Sequence, residues 1–400
     1  MEIAFFTDSF LPTRDGVAIE VASLARAVRS LGHDVTVFAP DPGGPRAGRP
    51  PEPDGLAVVR TRSVPVPLYS GYRWAVFPFA RLARGAGRRF DVAHLHTPGL
   101  LGMAGFLAAR AWRKPLVGTF HTNVGAMRDA FRERWSADVF LRVAWIWSLG
   151  TYWRCDLTTA PTLAARRALE THARKPFRRP IEVVPNGIEV DRFHPGVRVP
   201  DWRARCGLPD GPIVTYLGRL TQDKGVHRFL SALAEAGDRP FAGIVAGAGP
   251  EEAAVRHRLA TDPALMGRVR FVGPVTEEEK PALLAQTDVF VLPSTSDTSS
   301  VALLEAMASG VACLASDDGG PADLIDDGST GRLAPVRTDG PLGRALGELL
   351  DDPGGRARLG SAARARVVAT GSIVATARRF ISLYEHLLAG GGDGAAGHAR

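Results

Sequence analysis

Little in this chain offers a covalent or metal staple. Its three cysteines, Cys155, Cys206 and Cys313, are scattered, with neither metal-ligand spacing nor an even number to pair. A disulfide scaffold and a cysteine-held zinc are therefore not expected, and a reduced, cytoplasmic protein is. No run approaches the about 18 uninterrupted apolar residues that a membrane-crossing helix needs. The opening MEIAFFTDSF has no basic stretch ahead of an apolar one, so it reads as a first strand rather than an export signal. No Asp-x-Asp triplet occurs, Glu189-Val-Asp191 being the nearest, so a metal carried by paired carboxylates is not expected.

What is present is a soluble, globular composition. The 400 residues are 45% hydrophobic and 23% charged, which is ordinary for packed domains and too long for a single core. Charge is lopsided. Residues 1–200 hold 28 Lys+Arg against 17 Asp+Glu, a net +11, and the remaining 21 against 25 give −4. A basic half suits an anionic partner, such as a membrane surface, an acidic acceptor or nucleic acid; an arginine-rich composition with few lysines is the plain alternative.

Short β-rich runs alternate with amphipathic helical stretches, the pattern of parallel α/β layers. EIAFFTD, DVTVFAP, AVVRTR, DVAHLH, PLVGTFH, DLTTAP and IEVVP read as strands, with a helix over 17–31 after the first. After Pro195 the pattern restarts with PIVTYLG, FAGIVAG, VRFVG, DVFVLPS and VACLAS. The reading is α/β with two Rossmann-like domains, 1–195 and 196–370, joined near HPGVRVPDW. A last helix over 371–388 is expected to cross back to the first domain, and 389–400 to be a disordered tail. The Pro/Gly-rich 41–55 reads as a mobile loop.

Open parallel sheets seat ligands at the C-terminal ends of their strands. In YLGRLTQDKGVHRFL, Arg219 and Lys224 flank a loop that ends where a helix starts, an arrangement suited to a diphosphate. An exposed basic turn would look the same. VAGAGPEE ends a strand at Gly247, where glycine permits close backbone approach, but the third glycine and downstream acid of a dinucleotide fingerprint are missing. In FVGPVTEEE, Val272–Gly273 could face a flat base. PSTSDTSSVALLEAMASG predicts a helix from about Ser300 to Ser309, stopped by Gly310. Val301, Ala302, Ala308 and Ser309 surround Glu305 with small and apolar groups, where an unpaired carboxylate is rarely found.

That last segment resembles the acid-x7-acid motif of retaining glycosyltransferases of family four, through Asp297 and Glu305. GRLTQDKG, VAGAGPEE, FVGPV and VVPNGIEVDRF occur in that family's order. TDSFLPTRDGVAIEVASLARAVRSLGHDVTVFAP and PLVGTFHT resemble its N-terminal domain, so the likeness spans about residues 1–385. It implies a GT-B fold, two Rossmann-like domains facing across a cleft, with the acceptor on the first and the nucleotide-sugar on the second. The opening, SVPVPLYSGYRWAVFP and FHT are most similar to glycolipid glucosyl- and mannosyltransferases. The family usually has Glu where this chain has Asp297, one methylene shorter.

The resemblance implies a role for each residue. Glu305 would accept both ribose hydroxyls, and Asp297 would bind donor-sugar hydroxyls beside the backbone of Thr298, Ser299, Ser300 and Val301. Arg219 and Lys224 would hold the diphosphate, with Gly247 and Val272 lining the nucleotide. Gly16 would bring the first helix's N–H groups toward the phosphates, and His121 would reach the donor sugar; Asn186 lies near the cleft. The reaction would be hexosyl transfer with retention, the leaving phosphate serving as base, with no cofactor and no metal. One preorganised donor on the developing charge is typically worth about 3–4 kcal/mol.

Several alternatives bear on these residues. A glycosidase also uses two carboxylates but has no use for a phosphate set. A non-catalytic sugar-nucleotide binder would need Glu305, Arg219 and Lys224, yet not His121, Gly16 or Asp297. His94 and His96 alternate on a strand, so one should face inward, and packing explains them better than metal binding. Residues 131–153 hold four of the seven tryptophans; they read either as a packed helix or, with Arg81, Arg84, Arg88 and Arg89, as a face for an anionic membrane and a lipid acceptor. The acceptor alcohol is thus a glycolipid or a soluble molecule, and the protein cytoplasmic, peripheral on the inner face of the plasma membrane in the first case. No nucleic-acid reader motif is present, so nucleic acid is not an expected partner.

Overall fold

The computed structural model describes residues 1–13, 15–43, 55–65, 73–76, 90–121, 136–173, 175–177, 179–197 and 202–390, without the side chains of 136–141. Arg81, Arg84, Arg88 and Arg89, most of the 41–55 loop, the start of the tryptophan-rich segment and the tail beyond 390 lie outside them. The chain divides into two compact units. The first runs to Gly187 and resumes at Ile373; the second spans Ile188–Ser372.

In the first unit seven strands form one parallel sheet: β1 (Glu2–Phe6), β2 (Asp34–Pro40), β3 (Ala57–Thr61), β6 (Val92–Leu95), β7 (Leu116–Thr119), β8 (Leu157–Ala160) and β9 (Glu182–Val183), ordered β3-β2-β1-β6-β7-β8-β9. A small antiparallel pair, β4 (Ser63–Pro65) with β5 (Arg73–Ala75), stands apart and has no periodic signal in the sequence. The central strand shows why the sheet is covered on both faces. Ile3 and Phe5 enter one core with Val21 and Leu24 of helix Gly16–Ser30 and with Phe380 and Tyr384 of helix Ile373–Gly390. Ala4 and Phe6 enter the other, with Leu101 and Ala104 of helix Leu100–Ala111. Side chains alternate across a strand, so a continuous apolar run fills both layers.

The second unit repeats the plan with β10 (Ile213–Leu217), β11 (Ala242–Ala246), β12 (Val269–Gly273), β13 (Val289–Leu292), β14 (Ala312–Ser316) and β15 (Arg332–Ala334), ordered β12-β11-β10-β13-β14-β15 and all parallel. Val214 and Tyr216 face one core, Ile213 and Leu217 the other. The short β15 and the helix Gly320–Leu324 were not anticipated, being too brief for a periodic pattern. In both sheets chain order reverses beside the first strand, between β1 and β6 and between β10 and β13. Such switch points open a crevice at the strands' C-terminal ends. Among the described residues no helix is long and apolar enough to cross a membrane.

Candidate active site

At the second unit's switch point the loops after β10 and β13 are stitched together. Asp223 is buried; its carboxylate accepts from the Ser296 hydroxyl at 2.7 Å and its carbonyl from the Thr295 N–H at 3.0 Å. Burial alone would raise the Asp223 pKa, but the hydroxyls of Thr221 and Ser296, with Lys224 and Arg219, pull it below its ordinary value. Gly225, the cap of helix Val226–Glu235, has φ +76, and a Cβ there would stand 2.2 Å from the Pro293 carbonyl oxygen. Only glycine lets the two loops close to this distance.

Within this frame Lys224 Nζ donates to Asp297 Oδ1, joining one of the expected diphosphate cations to the first of the two acids. Asp297 is further fixed where its carbonyl accepts the Gly320 N–H at 2.8 Å. Arg219 projects outward, exposed, its carbonyl accepting from the Tyr216 hydroxyl at 2.7 Å. Gly247 has φ +146, and a Cβ would lie 1.8 Å from the Gly218 carbonyl oxygen. Backbone packing between strand ends therefore demands this glycine irrespective of any ligand. Val272 is partly buried against the core on that side of the sheet.

Ser300 caps helix Val301–Ala308 by accepting the Leu303 N–H at 3.3 Å, and Ser309 closes it before Gly310 at φ +75. Glu305 then points into the fold with only 2% exposure. Its partner is a residue that sequence reasoning missed: Lys280 Nζ, 3.4 Å from Glu305 Oε1 and 2.7 Å from Glu277 Oε1. Reciprocal bonds hold the turn carrying both: Glu279 accepts the Thr276 N–H and Thr276 Oγ1 accepts the Glu279 N–H, a capping box. Burial raises the Glu305 pKa to about 7; Lys280 opposes this, and Glu277 adds to it. The ammonium sits closer to Glu277, so Glu305 is the less compensated of the two carboxylates. Burial works against the Lys280 charge, but Glu305 and Glu277 outweigh it and hold its pKa up. The run EEEK was the available signal, but charge runs on a sequence usually mark solvated faces.

Three buried oxygens on this one segment, Asp297 Oδ2, Ser299 Oγ and Glu305 Oε2, have no hydrogen-bond partner among the described residues. Folded proteins pair nearly all such atoms. All three lie on the stretch that follows β13, the strand that borders the switch point with β10.

In the first unit Gly16 is exposed at the start of its helix. Asp15 caps that helix, accepting the Ala18 N–H at 2.8 Å and a bond from the Ser9 hydroxyl. A carboxylate thus already engages one N–H of the helix end assigned to phosphate. His121, past the end of β7, is partly buried, and burial lowers its pKa to about 4. Asn186 is buried. Of His94 and His96 one was expected to face inward; both are buried, at 0% and 1% exposure, because residues two apart lie on the same face of a strand, here the one that packs on Phe5. Among the described residues no group of three or more His, Cys, Asp or Glu is placed to hold a metal ion.

Two parallel α/β units, with buried carboxylates beside loop cations at a switch point, fit a glycosyltransferase that uses nucleotide-sugar donors. Residues 14–192 match Glycosyltransferase Family 4, and residues 199–366 match Glycosyl transferases group 1. The chain is 35% identical over 378 residues to a GDP-mannose-dependent alpha-mannosyltransferase of Mycolicibacterium smegmatis, covering 92% of this chain and 93% of that one. It is 28% identical over 396 residues to a D-inositol 3-phosphate glycosyltransferase of Streptomyces scabiei, covering 93% and 87%. A sucrose-phosphate synthase of Thermosynechococcus elongatus superposes with TM-score 0.78 at 23% identity over 97% of this chain and 99% of that one, a likeness of fold. The protein belongs to glycosyltransferase family 4, with the GT-B fold.

Proposed function

We propose that this protein is a retaining, metal-independent mannosyltransferase that takes its sugar from GDP-mannose and delivers it to a glycolipid hydroxyl at an anionic membrane surface. The observation that carries the donor half is the set of unpartnered buried oxygens on Asp297, Ser299 and Glu305. Glu305 accepts the ribose hydroxyls; Asp297, with Thr298, Ser299, Ser300 and Val301 around it, accepts those of the sugar. Arg219 and Lys224 meet the diphosphate charge, Lys224 turning from Asp297 toward it. Gly16 and His121 act on phosphates and sugar as the family resemblance implies.

Guanine supports itself as the base through chemistry. One edge of it presents two N–H donors beside a carbonyl, which suits a carboxylate next to an ammonium. Glu277 and Lys280 are such a pair, 2.7 Å apart and adjoining Glu305. Uracil offers one N–H between two carbonyls and fits them less well. The 35% identical relative that covers nearly the whole chain is itself GDP-mannose-dependent.

In the transfer step the bond from the anomeric carbon to the β-phosphate oxygen breaks as negative charge gathers on GDP. The acceptor oxygen attacks from the face GDP leaves, giving retention, and its proton passes to the departing phosphate. No protein nucleophile is required. Preorganised cations and N–H groups stabilise the developing charge. For the acceptor, Val143, Ile146 and Trp147 of helix Ser136–Tyr152 are exposed at 58%, 62% and 45%, and Leu107 of the neighbouring helix at 44%. An apolar face of this kind within a basic half supports a lipid surface.

The test is a thermal-shift panel: GDP raises the melting temperature, and UDP and ADP do so much less. No shift from any nucleotide at millimolar concentration would refute the central reading. Product NMR should show the α-anomer, and a chelator should leave turnover intact. Failure to sediment with anionic vesicles at low salt removes the membrane acceptor and leaves a soluble one.

A further inference from the structure

Glu277 and Lys280 meet one more charge beyond Glu305. Arg192 reaches Glu277 from a different segment, and all four residues belong to the second unit. The turn that carries Arg192 is firmly held. The N–H groups of Arg192 and Phe193 both donate to the Glu189 carbonyl, at 2.9 and 3.0 Å, and the Phe193 ring is buried in the core that also takes Leu303 and Leu304. One arm of the guanidinium, Nη1, lies 3.5 Å from Glu189 Oε2. The other, Nη2, donates to the Glu277 carbonyl oxygen and stands 3.8 Å from Glu277 Oε2. Charge therefore alternates through the contacts from Glu189 to Arg192, Glu277, Lys280 and Glu305.

This arrangement treats the two oxygens of Glu277 differently. Oε1 takes the Lys280 ammonium at 2.7 Å. Oε2 is buried and has no hydrogen-bond partner among the described residues. At 3.8 Å the guanidinium is within ion-pair reach of Oε2 but beyond hydrogen-bond length, so it offsets the charge and leaves the lone pairs open. The charge count shows why a second cation is needed. Glu277 and Glu305 share one ammonium, and without Arg192 the three would carry a net negative charge that burial penalises. Glu277, the less buried of the two acids, would then turn toward water. The bond to its carbonyl also fixes the backbone from which the side chain springs.

We infer that Arg192 is a positioning residue for base recognition: it balances the Glu277 carboxylate and holds it in place, so that Oε2 accepts from the 2-amino group of guanine. Arg192 acts through Glu277 and touches no ligand itself. This rests on the reading of Glu277 and Lys280 as the guanine contact.

The experiment compares GDP with IDP, whose hypoxanthine lacks only that amino group, by calorimetry. One hydrogen bond to a charged acceptor makes the wild type prefer GDP by about ten-fold. Arg192→Met keeps the stem beside Phe193 and removes the charge. Its preference should fall to about two-fold, with IDP affinity within about three-fold of wild type. Arg192→Lys, which keeps the charge and loses the fork, should lie between. A purely structural ion pair would lower the melting temperature and leave the ratio alone, so a ten-fold preference retained in Arg192→Met overturns the inference. If Arg192→Met does not fold, Arg192→Lys decides: a preference below about five-fold supports the inference, and an unchanged one overturns it. A wild-type preference near one sinks the guanine reading itself, and the role of Arg192 with it. Loss of the preference in Glu277→Gln but not in Arg192→Met keeps the guanine reading and overturns only the role of Arg192.

Discussion

Replacing Glu305 by Gln should weaken nucleotide binding while making the ligand-free protein more stable at alkaline pH. The carboxylate is 2% exposed, 3.4 Å from Lys280, and raised from 4.5 to about 7 in the folded state. Because the folded pKa lies above the unfolded one, the folded state holds this proton more tightly. The resulting stability is fully present below about 4.5 and is lost as pH rises through about 7. The shift corresponds to about 3 kcal/mol at pH 8, an order-of-magnitude figure that the Gln variant should largely recover. Lys280 keeps Glu277 at 2.7 Å, so the substitution does not strand its charge. Binding should move the other way. Exchanging two charge-assisted ribose bonds for neutral ones costs about 2–3 kcal/mol, roughly 30- to 150-fold in Kd for GDP at pH 8. Wild-type affinity should also fall about ten-fold between pH 8 and pH 6 as Glu305 takes up its proton. Calorimetry with GDP across this range measures it, and the ratio of wild type to Glu305→Gln cancels the ligand's own phosphate titration. A ratio that stays near one at every pH refutes the assignment of Glu305 to the ribose.

Lys224→Met leaves Asp297, whose side chain is 9% exposed, without its cation, so the melting temperature should drop by an amount equivalent to about 1–3 kcal/mol, and Asp297→Asn in the same background should restore it. Gly247→Ala meets the Gly218 carbonyl oxygen at 1.8 Å and should destabilise the second unit by about 3 kcal/mol or more in urea titrations; a neutral result would mean the strand ends do not pack as described. His121→Ala should lower kcat by about 100-fold and leave GDP affinity unchanged by calorimetry, whereas equal losses in both would place His121 in nucleotide binding.

The placement of the candidate residues was legible because strands announce themselves by composition and the chain leaves each strand at a known edge of a parallel sheet. Arg219, Lys224 and Asp297 lie in the loops beyond such strand ends and Glu305 on the helix after β13, and that helix, 301–308, falls within a residue of its expected bounds at each end. Lys280 and Glu277 were hidden inside an acidic run whose periodicity is that of an exposed helix start. Their partial burial follows from where β12 releases the chain beside helix Val301–Ala308, a long-range fact. Gly247 was read as room for a ligand, yet its neighbour is Gly218, across the β10–β11 pair. Of His94 and His96 only one was expected inward, yet residues two apart share a strand face and this sheet is covered on both sides, so both are buried.

By itself the sequence determined the two parallel α/β units, the loops that carry cations and carboxylates, and the family to which they belong. These follow from local periodicity and from residue types at strand ends, which need no knowledge of distant contacts. Only the tertiary structure decided how the charges pair. Asp297 is held by Lys224 and Glu305 by Lys280, and each acid keeps one buried oxygen without a partner. Pairing depends on distances between segments far apart in the chain and on the dielectric that packing creates around them. Neither is written in any one stretch of residues.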